Sequence, residues 1–316
     1  MNTTPSTSNI DYTVVGGRPA DRDSRGRLSL SILVLHRAGS LPRPDLYEEL
    51  QRWGGQEIIS VASAGGKAEG ERLSQRFPSV RFIIPSREIG IGARINLAME
   101  EARGRLVCVT WNQVTFEPFS PRLLDGMLSD RKLCYAPILR TRKGEVVPTV
   151  VAPALFKSTL KVLFLPPSGE ERPTLFPFDY IGVYDRERFR LLGGYDTTIH
   201  SSYWQKMDFG FRTYLWGEET AVRSDLRAQS DVELPTEDTT PDQSYMRFFL
   251  KNLAPRFDGS GAILPKGKIL PLLFRGGVSV AEALRLMREI RSWVQENRYR
   301  FLQDAKRVTE LWDTNE

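Results

Sequence analysis

Between residues 28 and 110 the chain repeats one pattern, a short apolar run followed by a stretch with helical spacing. LSLSILVLH, EIISV, VRFII and LVCVT are the apolar runs. The first stops alternating in its second half, as a strand buried on both faces does. RPDLYEELQRWGG follows it with Leu46, Leu50 and Trp53 at i, i+4 and i+7, and Gly54 stands where a helix would close. GGKAEGERLSQRF predicts a second, polar helix. GARINLAMEEARG predicts a third, with Ile95, Leu97, Ala98 and Ala102 available to pack and Gly104 at its end. Short strands joined by helices imply an α/β fold: a mostly parallel sheet flanked by helices. Such sheets bind ligands beyond the carboxyl ends of their strands, at the switch point. His36–Arg37, Ala62–Ser63, Ser86–Arg87 and Trp111–Gln113 fall at those ends.

The flanking segments read differently. Residues 1–27 are rich in Ser, Thr, Pro, Gly and Arg and are expected to form a flexible tail. The main domain is expected over 28–235. LCYAPIL and EVVPTVVAP read as strands around the turn RTRKGE. FPFDYIGVYDRERFRLLGGYD reads as a strand, a short helix and a Gly-Gly turn, and SSYWQKMDFGFRTYLWG as a helix closed by Gly217. PTEDTTPD is a linker, and 236–316 a helical C-terminal extension. There Ser279-x-x-Glu282 has the capping-box spacing, and Val280, Leu284, Met287, Ile290 and Val294 recur at helical spacing. Its arginines interleave with Glu282, Glu289, Glu296 and Asp304. That pattern has two readings, a solvated face or weak contact with an anionic membrane surface.

With 316 residues the chain can bury a substantial core, and its net charge of +5 and pI of about 9.2 favour anionic ligands such as nucleotide phosphates or lipid headgroups. The start lacks a signal-peptide pattern and no run is long and apolar enough to span a bilayer, so a cytoplasmic protein is expected. Cys108 and Cys134 both lie in apolar runs and read as reduced core residues. GxxxxGK[ST], HExxH, GxSxG and CxxC are absent. Basic charge without ordered aromatic interleaving gives no reason to expect nucleic acid.

Four segments in order resemble the GT-A-fold glycosyltransferases, family two in particular. They are the opening strand–helix–strand, REIGIGARINLAMEEARG, the strand GRLVCVT, and LLGGYDTTIHSSYWQKMDFGFRTYLWG. Together they cover about residues 28–220. The resemblance implies a GT-A-like, Rossmann-like domain, a nucleotide-sugar donor and a carbohydrate or lipid-linked acceptor. It also implies an acidic residue after the second strand, an Asp-x-Asp after the fourth that holds a divalent ion, and a Glu-Asp pair that supplies the catalytic base.

The chain departs from that pattern at all three places. The second strand leads into Ala62–Ser63, the metal position holds Trp111-Asn112-Gln113, and Gln205-Lys206 precede Met207-Asp208. What matches is mostly scaffold: Gly90, Gly92, Asn96, Gly193, Gly194, Asp208 and Arg212. Hard cations want carboxylate oxygens, while Asn and Gln offer neutral carbonyls and Trp offers nothing. No tight metal site and no cofactor are therefore expected. Transfer without a metal would need fixed cations on the leaving diphosphate, a task suited to the planar fork of arginine. Arg37, Arg87 and Arg94 are the candidates at the strand ends, and Arg140, Arg142 and Lys143 could join from a loop. Ser63, Asn96, Trp111, Asn112 and Gln113 complete the expected donor-binding set. Trp111 either stacks on a base or sugar or plugs the vacated pocket. Asp208 and His200 are the candidate catalytic bases. Two functions follow: a metal-independent sugar transferase, or an inactive scaffold that acts as a binding or partner subunit in a carbohydrate pathway.

Overall fold

The computed structural model describes residues 10–17, 29–37, 39–40, 43–54, 56–62, 66–156, 159–265 and 280–312. The alternating first third folds as its periodicity predicts. Strands β2 (Leu30–Leu35), β3 (Glu57–Val61), β4 (Arg81–Pro85) and β5 (Leu106–Trp111) alternate with helices α1 (Pro44–Trp53), α2 (Lys67–Arg76) and α3 (Ile91–Glu101). All four strands are buried along their whole length, because helices cover both faces of the sheet.

The chain runs outward from β2 to β3 and β4, then returns past β2 to lay down β5. The switch point is therefore between β2 and β5. These two strands pair in parallel from Leu30↔Leu106 to Leu35↔Trp111, so they end level with each other. The Asn112 amide donates to the Leu35 carbonyl at 2.9 Å and locks that edge.

The sheet continues beyond β5 through β11 (Gly182–Asp185), β7 (Cys134–Arg140), β12 (Thr220–Ser230) and β10 (Arg172–Pro173), with β6 (Val114–Phe116) also on β12. It is mostly parallel, with antiparallel strands entering at β11 and toward the edges. Because β11 runs antiparallel to β5 and starts opposite Val109, the turn before it overhangs Trp111. Helix α4 (Pro121–Asp130) and the hairpin of β8 (Val150–Phe156) and β9 (Thr159–Leu165) complete this half.

Part of the expected flexible tail is ordered. Tyr12–Gly16 forms strand β1, antiparallel to β4 at the sheet edge. Its aromatic and β-branched run YTVV fits a pleated edge, and the Tyr12 hydroxyl donates to Glu101 Oε1 at 2.9 Å.

Helices α5 (Arg186–Leu192) and α6 (Ser202–Leu215) lead to the C-terminal region. That region contains α7 (Gln243–Phe248), a π-helical turn over Phe249–Leu253, the short pair β13 (Arg256–Phe257) and β14 (Ala262–Ile263), α8 (Val280–Glu296) and α9 (Ala305–Glu310). It packs on α6 to form a second apolar core, in which Met207, Phe211 and Leu215 meet Phe248, Leu250, Met287 and Ile290. Ala283, Met287, Ile290, Trp293 and Val294 are the buried face of α8, and Leu284 points outward. The apolar face that a membrane would need is thus covered by the protein itself. Ser279, half of the expected capping box, lies outside the described residues. No described helix is long and apolar enough to cross a membrane.

Candidate functional site

Trp111, the last residue of β5, is 2% exposed and belongs to the main core. Its indole Nε1 donates to the Asp179 carbonyl at 2.9 Å, and the Arg37 guanidinium lies 4.1 Å from its ring centroid. Arg37 also forms an ion pair with the Asp179 carboxylate. Asp179 and Tyr180 hold left-handed backbone at φ 50 and 65, a conformation that costs on the order of 1 kcal/mol or more for a residue with a side chain. The Trp111 and Arg37 contacts help to offset that strain. Burial pushes the Asp179 carboxyl above the usual carboxylate range, against the pull of Arg37 and Lys206. The Trp111 ring is thus enclosed in the core at the end of β5, with its polar edge satisfied by the turn before β11.

The other strand-end residues are mostly occupied with holding the scaffold. Arg94 is buried and donates to the carbonyls of Ile89 at 3.2 Å and His36 at 2.9 Å, and pairs with Glu88. Asn96 makes a two-way clasp on Tyr195: its Nδ2 donates to the carbonyl at 2.8 Å, and its Oδ1 accepts from the amide at 2.9 Å. A side chain on Gly194 would lie 2.5 Å from Asn96 Oδ1, and that glycine has φ +66, so the clasp and the Gly-Gly turn require each other. Asn112 is 1% exposed and Gln113 receives the Asp231 amide on its carbonyl at 2.9 Å. Arg87 is exposed, and Ser63 lies outside the described residues. Arg140 closes its own turn by donating to the Gly144 carbonyl at 2.8 Å. His36 Nε2 meets Tyr47 Oη at 3.1 Å and Ser60 Oγ at 2.9 Å; burial and then the Arg94 charge lower its pKa to about 4.

Helix α6 is buried from Tyr203 to Leu215, so each polar side chain on it needs a partner. Gln205 makes four hydrogen bonds. Its Oε1 accepts from the Gly92 amide at 3.1 Å and the Tyr180 hydroxyl at 3.0 Å, and its Nε2 donates to the Asp196 and Ile199 carbonyls at 2.9 and 3.1 Å. Lys206, 2% exposed, pairs with Glu237 and lies 5.2 Å from the Tyr180 ring centroid. Asp208, completely buried, is no accessible base. Its carboxylate pairs with Arg212 and Lys251, both at 2.8 Å, and accepts from Asn252 Nδ2 at 2.9 Å. Asp196 fixes its turn through the Thr198 amide at 3.0 Å, and it also pairs with Arg247 at 2.9 Å and Lys251 at 2.8 Å. Burial would raise both aspartates, but Lys251, with Arg247 or Arg212, outweighs it and holds both below the usual range. His200 is exposed before α6.

The fold as a whole is similar to that of solved structures. GalNAc-T7, crystallised with UDP, GalNAc and Mn2+, superposes with a TM-score of 0.53 at 13% identity. The match covers 85% of this chain and 56% of that one, so this chain spans little more than half of its counterpart's length. This chain has the GT-A glycosyltransferase fold. S. aureus TarS 1-349 in complex with UDP-GlcNAc is also similar, with 11% identity over 83% of this chain and 71% of that one and a TM-score of 0.48. No protein-family model matches the chain, and no curated protein does.

On this GT-A fold the residues at the expected metal position do not suit a divalent ion. Trp111 has no oxygen ligand to give, Asn112 and Gln113 have only neutral ones, and the described residues contain no metal-holding group of three His, Cys, Asp or Glu. Of the residues expected from the sequence, Arg37 and Trp111 do meet. Asp179 and Glu237 join them without being expected, as does Lys206, which the sequence marks only as a departure from an expected acid. Lys206, on the helix where the resemblance expects an acid, and the acidic linker PTEDTTPD that comes after that helix were the available signals.

Proposed function

We propose that this chain is a glycosyltransferase-like binding protein, a partner subunit in a carbohydrate pathway that does not itself transfer sugar. The observation that carries the reading is Trp111: a buried indole, capped by Arg37 and tied to Asp179, stands where the resemblance places the ion-binding carboxylates. The state of α6 supports it. Gln205 uses all four of its hydrogen bonds on the scaffold, and Asp208 is committed to Arg212 and Lys251. A general base must reach the acceptor hydroxyl, and neither residue is free to.

A second reading is favoured by one specific feature, that Asp179 pairs with Arg37 and also feels the charge of Lys206. Fixed cations can neutralise a departing diphosphate, so a metal-independent transferase acting on a nucleotide-linked sugar and a carbohydrate or lipid-linked acceptor fits that feature. The test is to incubate the full chain with nucleotide sugars, with and without manganese, and to measure release of the nucleoside diphosphate. The expected result is no release under either condition. Release that disappears in Lys206→Met would establish the second reading instead.

A further inference from the structure

Helix α8 packs its apolar face into the second core, and the turn that follows it, Arg298–Arg300, does the opposite. Tyr299 is 78% exposed, the highest value for any large apolar side chain among the described residues. Leu191 and Leu302 are each 58% exposed and Ile263 is 48% exposed. The four share one surface, because each is tied to the same turn. Arg300 donates to the Leu191 carbonyl, and the Leu302 amide donates to the Leu215 carbonyl at 2.8 Å. Arg298 Nη2 donates at 3.1 Å to Ser260 Oγ, in the turn between β13 and β14 that leads to Ile263. A Cβ on Gly261 would lie 2.6 Å from Arg298 Cγ, so that turn sits tightly on Arg298. Single exposed apolar residues are ordinary on a surface; four gathered around one turn mark a place of contact.

The charges of this patch are nearly all of one sign. The segments 190–191, 256–263 and 298–302 hold Arg190, Arg256, Arg298 and Arg300 against a single acid, Asp258, which pairs with Arg298 at 3.5 Å. Arg300 is held in place over Trp216, 3.9 Å from the ring centroid. A second copy of the chain would set this cationic patch against itself across a two-fold axis. A surface of anionic lipid suits both features together. Leucine and isoleucine side chains enter the acyl boundary, a tyrosine sits at headgroup level, and guanidinium groups meet the phosphates. The carbonyls of Leu191 and Leu215 already have donors, so lowering this rim into an interface leaves neither of them unsatisfied.

We propose that Leu191, Ile263, Tyr299 and Leu302, with the arginines among them, form a docking surface that seats this protein on an anionic membrane. The surface adjoins Trp216, at the end of α6. Gln205, near the start of that helix, bonds to Gly92 and Tyr180 beside the switch point, about 16 Å away along the helix axis. Docking therefore uses the opposite end of α6 from the one that meets the switch point. This goes beyond the proposed function, since it concerns where the protein is held and not whether it transfers a sugar.

Sedimentation of the full chain with vesicles tests it, using phosphatidylcholine alone and an equal mixture of phosphatidylcholine and phosphatidylglycerol. The protein should bind the mixture about tenfold more tightly than the neutral vesicles and lose that preference at high salt. Leu191→Ser combined with Tyr299→Ser should weaken binding to the mixture about tenfold. Both side chains are exposed, so the melting temperature should stay unchanged. As a measurement that does not depend on lost binding, brominated lipid in the mixed vesicles should quench the fluorescence of Tyr299→Trp more than that of the unaltered protein. Equal binding to the two kinds of vesicle, full binding by the double variant, or no added quenching would overturn the proposal. So would a dimer of the unaltered protein that the double variant dissociates, which would assign the patch to a second copy. None of these results bears on the transfer assay.

Discussion

Arg37 sits over the Trp111 ring, its guanidinium carbon 4.1 Å from the centroid, while the same indole donates to the backbone of Asp179, the residue that pairs with Arg37. Trp111 thus anchors the turn before β11 as well as filling the end of β5. Replacing it with Ala should cost about 3–5 kcal/mol, the usual range for emptying a buried aromatic site. Trp111→Phe keeps much of the volume but leaves the Asp179 carbonyl without its donor, for about 1–3 kcal/mol. Urea unfolding midpoints of the two variants check the order.

Gln205→Glu would put back an acid where the resemblance expects one. It is predicted to destabilise, by on the order of 3 kcal/mol, and not to create activity. The amide nitrogen now donates to two carbonyls, Asp196 and Ile199, and a carboxylate oxygen in its place would face both without a proton. A variant that melts with the unaltered protein would show that α6 is not held as described.

Asp208→Asn should destabilise by about 3 kcal/mol or more, because Arg212 and Lys251 would keep their charges in the core with one carboxylate fewer. The same network sets acid sensitivity. Asp196 and Asp208 have folded-state pKa values below the unfolded value, so their contribution is complete above pH of about 4 and is lost as pH falls below it. In a pH series of unfolding free energies, Asp208→Asn should flatten the acid limb.

His36 acts in a separate window. Its folded-state pKa of about 4 lies below the unfolded value of about 6.5, so the neutral ring favours the fold above pH 6.5 and stability drains as pH falls toward 4. The full effect is up to about 3 kcal/mol. His36→Gln should remove the slope between pH 6.5 and 4 while leaving the steeper loss below 4 in place. A His36 ring resonance that titrates near pH 6.5 in the folded protein would contradict the burial assigned to it.

The elements of the first 110 residues were legible in the chain because they depend on local facts. Runs of strand length, apolar positions at helical spacing and glycines at helix ends need no distant partner to be read. Strand β12, from Thr220 to Ser230, is not legible in the chain, because TAVRSDLRAQS alternates only in part and is shaped by the strands on either side of it. Strand β1 is hidden in a polar stretch for a similar reason: an edge strand buries little and leaves a weak pattern.

By itself the sequence determined the switch point, the absence of carboxylates at Trp111–Gln113 and the Gly-Gly turn before α6. Only the tertiary structure decided what those residues do. Trp111 finds its acceptor 68 positions away, Arg37 its carboxylate 142 away, and Asp208 its amide partner Asn252 44 away. A buried polar group must be satisfied by whatever the fold brings to it, and such pairings leave no period in the chain to read.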